Sequence, residues 1–109
     1  MVLLVYSIML NQSFKFKGGV WIGFASATWP WGILEFDRDQ LTIAIADMKK
    51  LSFTRNEIER LEVKKYFPIV AYGIHIVPRD KTKGTPLYFW YISFRFNKLI
   101  SALKDCGWL

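Results

Sequence analysis

Cysteine and histidine are almost missing from this sequence. A single cysteine, Cys106, excludes an intramolecular disulfide. A single histidine, His75, beside that one thiol leaves no protein-only zinc site. Long apolar runs are missing too. A spanning helix needs about 20 apolar residues, and the longest run, Met1 to Leu10, is ended by Asn11, Gln12, Ser13 and Lys15. No Lys or Arg precedes that run and no small-residue cleavage site follows it, which argues against a signal peptide. Acidic residues are scarce, nine against fifteen Lys and Arg, for a net charge of +6. No Pro/Ser-rich linker, low-complexity tract or internal repeat divides the chain.

What is present is a core. Hydrophobic residues make up 52% of the 109 positions and aromatics 17%, which excludes intrinsic disorder. A chain of this mass exposes about 6,300 Å² folded against about 18,500 Å² unfolded. That burial suits one core and one domain. Met1 to Leu10 reads either as a strand or short helix packed on the body, or as a membrane-facing or self-association segment. Residues 1–17 are therefore set apart as an apolar N-terminal segment, and residues 18–109 as the domain. The absence of disulfides and of an export signal predicts a cytoplasmic protein, with the inner face of the membrane as a place it can reach.

From Gly18 to Phe94 the dominant period is two. Gly18 to Ala27 reads as a strand, and Thr28-Trp29-Pro30-Trp31-Gly32 as a turn, because Pro fixes one φ and Gly permits the other sign. Ile33 to Phe36 resumes as a strand, and Asp37-Arg38-Asp39-Gln40 is a polar loop. Leu41, Ile43 and Ile45 alternate with Thr42, Ala44 and Ala46, giving a strand with one apolar face. Asp47-Met48-Lys49 is the next turn, followed by a strand from Lys50 to Phe53. Thr54-Arg55-Asn56-Glu57 matches a capping box, which predicts one helical turn or bulge before a strand from Ile58 to Tyr66. Phe67-Pro68 ends it; Val70 to Val77 is a strand, Arg79 to Pro86 a hydrophilic hairpin loop, and Leu87 to Ser93 the last strand. Trp21 and Trp90, being in strands, read as core. The period then changes: Phe96, Leu99, Ile100 and Leu103 form the stripe of an amphipathic helix from about Arg95 to Asp105. Gly107 is placed as its C-terminal cap, with Trp108 able to pack back.

About seven short antiparallel strands closed by one C-terminal helix make a mainly β barrel or bent sandwich. Three stretches carry the resemblance of this pattern to a known family: Trp31 to Phe36 with Asp39 to Ile43, Phe53 to Leu61, and Phe94 to Leu103. They resemble the small bacterial pleckstrin-homology-like and GRAM-type domains over about residues 18–108. The resemblance implies a barrel whose open end is plugged by the helix. Phosphoinositide-binding members of that superfold place a run of basic residues across the first two strands. Here no basic residue lies between Lys17 and Phe36, which argues against a specific inositol phosphate.

Catalytic constellations are missing. There is no G-x-S-x-G elbow, and His75 falls in the middle of a strand. Cys106, in the last helical turn, reads as a buried small hydrophobe. Asp37-Arg38-Asp39 lacks the continuation of a calcium loop. Glu57, Glu59 and Glu62 alternate with Arg60, Lys64 and Lys65 as a self-neutralised strand face. Lys83-Gly84-Thr85 has the wrong order for a P-loop. Lys17 to Phe24 partly mimics an RNA-binding strand, but Gly19 stands where a stacking aromatic belongs, which argues against nucleic acid. No metal or other cofactor is implied, and the chain reads as a non-enzyme.

Two surfaces remain. Lys15, Lys17, Lys49, Lys50, Arg79, Lys81 and Lys83 lie at predicted strand ends, where converging loops would attract phosphate or anionic lipid. Trp29 and Trp31, flanking Pro30, are either a contact anchor or a lid folded inward over a barrel end. With the apolar Val2, Leu3, Leu4 and Val5, these tryptophans form the candidate contact surface. The expected function is a binding or assembly module acting through protein contacts or self-association. The alternative is peripheral attachment to anionic membranes through the basic loops and the N-terminal segment.

Overall fold

A computed structural model describes residues 13–23, 25–66, 71–80, 86–92 and 95–109. Val2, Leu3, Leu4, Val5, Lys81 and Lys83 lie outside the described residues, as does the tip of the predicted Arg79 to Pro86 loop. The strands are β1 (Phe14–Ile22), β2 (Ala25–Phe36), β3 (Gln40–Ile45), β4 (Lys49–Thr54), β5 (Ile58–Tyr66), β6 (Ala71–Pro78) and β7 (Leu87–Ile92). A single 3₁₀ turn, Arg55–Glu57, joins β4 to β5, and the helix α1 (Phe96–Asp105) follows β7. All pairings are antiparallel, in the order β4-β3-β2-β1-β7-β6-β5. The seven strands form one curled half-barrel with α1 as its C-terminal helix. Among the described residues β4 pairs with β3 alone and β5 with β6 alone, so both remain sheet edges.

Alternation decides what faces inward. Val20 and Ile22 of β1, Leu34 and Phe36 of β2, and Leu41 and Ile43 of β3 are buried on the concave face. Phe53, Ile74, Ile76, Leu87 and Phe89 meet them from the other strands. From α1 come Phe96, Leu99, Ala102 and Leu103, the predicted stripe with one change: Ile100 is only half-buried at the rim of the same cluster. The 3₁₀ turn falls where the capping box predicts one, and the Thr54 N–H donates to Glu57 Oε1 at 3.0 Å. The Asp37 loop is also as expected. Its carboxylate accepts from the backbone N–H groups of Asp39 and Gln40, both at 2.8 Å.

The predicted course of the first two strands needs correction. Gly18 to Ala27 is not one strand: β1 starts earlier, at Phe14, and ends at Ile22. The chain reverses beside Gly23, whose φ of +60° suits a residue without Cβ. Lys15 and Lys17 therefore lie within β1 rather than ahead of it. Thr28 to Gly32 is not a turn but part of β2, continuous with Ile33 to Phe36. Between the pairs Gly18–Gly32 and Val20–Ala27, the single residue Gly19 faces four residues of β2, Thr28 to Trp31. This is a large bulge, beyond the usual two residues against one. Pro30 is tolerated because the β1–β2 ladder is interrupted there and β3 reaches only to Gly32. The Trp29–Pro30 peptide is cis. Gly32 serves close approach rather than a turn, since a Cβ on it would stand 2.6 Å from Gly18 O.

The helix end is closed by a dense set of contacts. Gly107, with φ of +80°, donates to Lys104 O at 3.0 Å, and the Trp108 N–H donates to Leu103 O at 2.8 Å. That pair of bonds is a Schellman cap. The Trp108 indole N–H donates to Asp37 O at 2.6 Å, which ties the cap to the β2–β3 loop.

Candidate contact surface

Helix α1 occupies the end of the sheet marked by the β2–β3 loop and the close of β4. The other end of that part of the sheet carries the β1–β2 and β3–β4 turns and the start of β7. Two backbone bonds bring these segments together. Gly23 N–H donates to Pro86 O at 2.9 Å, and Ala46 N–H donates to Trp31 O at 2.8 Å. The second bond places the β3–β4 turn directly against the Trp-Pro-Trp bulge. Ala46 takes a φ of 44° there, and the Met48 N–H closes the turn on Ile45 O at 2.8 Å.

The side chains at this end point away from the core. Trp29 is 63% exposed, Trp31 59% and Met48 87%. Of the two readings open for the tryptophans, the structure gives the outward one. Lys49 and Lys50 open β4 beside Met48, both exposed. Arg79 is exposed just after β6, its N–H donating to Glu57 O at 2.9 Å. Lys15 and Lys17 do not join this group. They lie toward the start of β1, on its outer face, with Lys15 opposite Glu35 and Lys17 opposite Ile33. The predicted cation set is therefore divided: Lys49 and Lys50 follow the β3–β4 turn that is bonded to the Trp-Pro-Trp bulge, and the β1 lysines belong to another surface.

Trp21 also departs from the expectation. It is 44% exposed and belongs to the outer face, whereas Trp90 is half-buried. Period-two reasoning places a tryptophan in a strand but not on a face. The inward partners of β1 are its even-numbered residues, Val20 and Ile22.

The titratable groups are engaged structurally. His75 Nδ1 lies 3.0 Å from Glu62 Oε1, and its ring stacks on Tyr88 with centroids 4.4 Å apart. Glu62 also pairs with Arg60 at 3.1 Å and Lys64 at 3.7 Å. Hydrogen bonds from Arg60 and then His75 hold its carboxyl below the usual range. Burial pushes the Cys106 thiol up, away from the thiolate that a nucleophile needs. Among the described residues no three His, Cys, Asp or Glu side chains gather to hold a metal, and no helix is long and apolar enough to cross a membrane.

Arg55 is the residue that sequence reasoning missed. Its guanidinium donates to the carbonyls of Arg38, Cys106 and Gly107, the last at 3.1 Å, and sits 4.7 Å from the Trp108 ring centre. Three of these partners lie more than 50 positions away in the chain, beyond any local pattern. No protein family matches this sequence, and no curated protein does.

Proposed function

We propose that the chain is a non-catalytic, pleckstrin-homology-like binding module that makes protein contacts through the end of its sheet opposite the helix. The reading rests on one observation: Trp29, Trp31 and Met48, all more than half exposed, lie on two segments that the Ala46–Trp31 backbone bond joins. Exposed tryptophans supply a large apolar area with few rotamers to freeze, the property of contact anchors. The strand order, with one C-terminal helix against the concave face, supports the family resemblance. A second copy of the chain is the first partner to test, because the same surface is then present at high concentration.

The test is sedimentation of the full chain across a concentration series. Self-association that weakens in a Trp29→Ser/Trp31→Ser variant and persists at high salt supports the proposal. A monomer at all concentrations removes the second copy as partner. Lys49 and Lys50, which follow the turn bonded to the Trp-Pro-Trp bulge, favour a second reading, attachment to an anionic bilayer at the cytoplasmic face. Flotation with anionic and neutral liposomes separates the two. Bilayer binding would fall with salt, because the Debye length shrinks from about 10 Å at 0.1 M to about 3 Å at 1 M. Binding to anionic liposomes by a monomer, lost when Lys49, Lys50, Arg79, Lys81 and Lys83 become Gln, overturns the protein-contact reading in favour of the second.

A further inference from the structure

The outer face of the sheet carries a surface distinct from the Trp-Pro-Trp end. One row crosses four strands in register: Trp21 on β1, Tyr88 on β7, His75 on β6 and Glu62 on β5. Its three rings form a column. His75 and Tyr88 are 4.4 Å apart and 11° from parallel; Tyr88 and Trp21 are 5.8 Å apart at 30°. At the β5 side the column ends in the Glu62 carboxylate, itself held by Arg60 and Lys64. At the β2 side the register partner of Trp21 is Ser26, a small, exposed residue.

Trp21 combines exposure with order. Its indole N–H donates to Gly23 O at 2.7 Å, which fixes the ring although 44% of the residue is exposed. A ring already held in place loses little freedom when a second ring stacks on it. The same strand alternates Lys15, Lys17, Gly19 and Trp21 along its outer face, so two cations lie on the surface that carries the exposed ring.

We propose that this column binds single-stranded nucleic acid, with a base stacking on Trp21 at the Ser26 side and Lys17 contacting the phosphate backbone. Stacking requires only the π-face that every base has, and the lysines supply the electrostatic part. The linear motif argued against nucleic acid because Gly19 stands where an aromatic belongs. Across the ladder, however, the register partner of Gly19 is Trp90 and that of Trp21 is Tyr88. The aromatic platform is assembled from two adjacent strands, which a motif written along one strand does not detect. A neutral glycan would stack on Trp21 as well, but Lys17, opposite the apolar Ile33, and the net charge of +6 favour a polyanion, although Lys15 faces Glu35 and the row ends in Glu62. The proposal is independent of the contacts assigned to Trp29 and Trp31.

The probe is a labelled oligothymidylate of about 15 nucleotides, titrated with the full chain and read by anisotropy between about 50 and about 200 mM salt. The expected result is binding that quenches tryptophan fluorescence and weakens about tenfold or more in Trp21→Ala. Lys17→Gln should lower the slope of log K against log salt by about 0.7. Trp21→Leu, which keeps apolar bulk at this position but offers no π-face, should lose affinity to the same extent and keeps the test valid should Trp21→Ala fail to fold. The proposal is overturned by no binding at the low salt, by equal affinity for a duplex of the same length, or by wild-type affinity in a folded Trp21→Ala or Trp21→Leu protein. Trp21-dependent binding of a neutral oligosaccharide without oligothymidylate binding also overturns it.

Discussion

Trp108 lies against the loop that follows β2 and Trp31 lies in the bulge within β2, and their surroundings differ completely. Just beyond β2, Trp108 is half-buried: its backbone caps α1, its indole N–H bonds to Asp37 O, and the Arg55 guanidinium lies against its ring. In the bulge of β2, Trp31 is 59% exposed, although its carbonyl is bonded to Ala46. Both residues have an ordered backbone, so order does not distinguish them. What differs is whether another part of the chain arrives to cover the ring. At one end the helix does, and the aromatic area contributes to folding. At the other, aromatic area is held in fixed positions without contributing the same burial.

The comparison can be broken at its strongest point. Leu103 is fully buried between α1 and the sheet, and Leu103→Ala should cost about 2–5 kcal/mol in denaturant unfolding. A loss near zero would mean that the helix end is not the closed one. Arg55→Ala comes next. Removing a charged donor from three carbonyls should cost about 1–3 kcal/mol. Arg55→Lys should recover only part of it, since an ammonium cannot span carbonyls as a planar fork does. Thermal melts of the two variants side by side would show this order.

At the opposite end, Trp29→Ser and Trp31→Ser should each shift stability by no more than about 0.5 kcal/mol while reducing whatever contact that end makes. A cost of about 2 kcal/mol or more would show that the bulge belongs to the core, and the contrast would be lost. The smallest effect concerns Glu62. Its carboxyl is held below its ordinary value of 4.5 by Arg60 and His75. The folded state therefore binds that proton less readily than the unfolded one. The contribution is fully present above about pH 4.5 and is lost as pH falls through the folded value. Wild-type stability should consequently fall more between neutral pH and about pH 3 than that of Glu62→Gln, by a small margin suited to a surface group.

Periodicity placed most of the fold in view, because it reports burial directly. The 3₁₀ turn at the Thr54–Glu57 box and the Gly107 cap are local and appear where their residues predict; the α1 stripe does so apart from Ile100, and β3 buries Leu41, Ile43 and Ile45 as expected but also Thr42 and Ala44 of the face read as the less apolar one. The errors came from residues whose role depends on a neighbour in space. Pro30 and Gly32 look like a turn along the chain, yet the missing N–H of Pro30 costs nothing where two ladders are interrupted, and Gly32 answers to Gly18 across β1. Trp21 reads as core along the chain, because hydrophobicity alone does not choose a face, yet it lies on the outer one. The exposure of Trp29 and Trp31 was one of two open readings, since it turns on the reach of β3. Arg55 was invisible for the same reason: its partners are set by where the helix ends.

Among the described residues β4 and β5 each have one neighbour, and these two edges have a mechanical consequence. In a closed barrel, strand number and stagger together fix the radius. A sheet whose first and last strands do not meet has no such constraint. Its curvature is set by what fills the concave side, Leu99 and Leu103 above all, and by the tether from Arg55 to the helix terminus. The helix thus acts as the clasp on a bent leaf. Loosening the bonds at Arg55 should therefore relax the bend of the sheet and, with it, the spacing of the rings that span β1, β7 and β6.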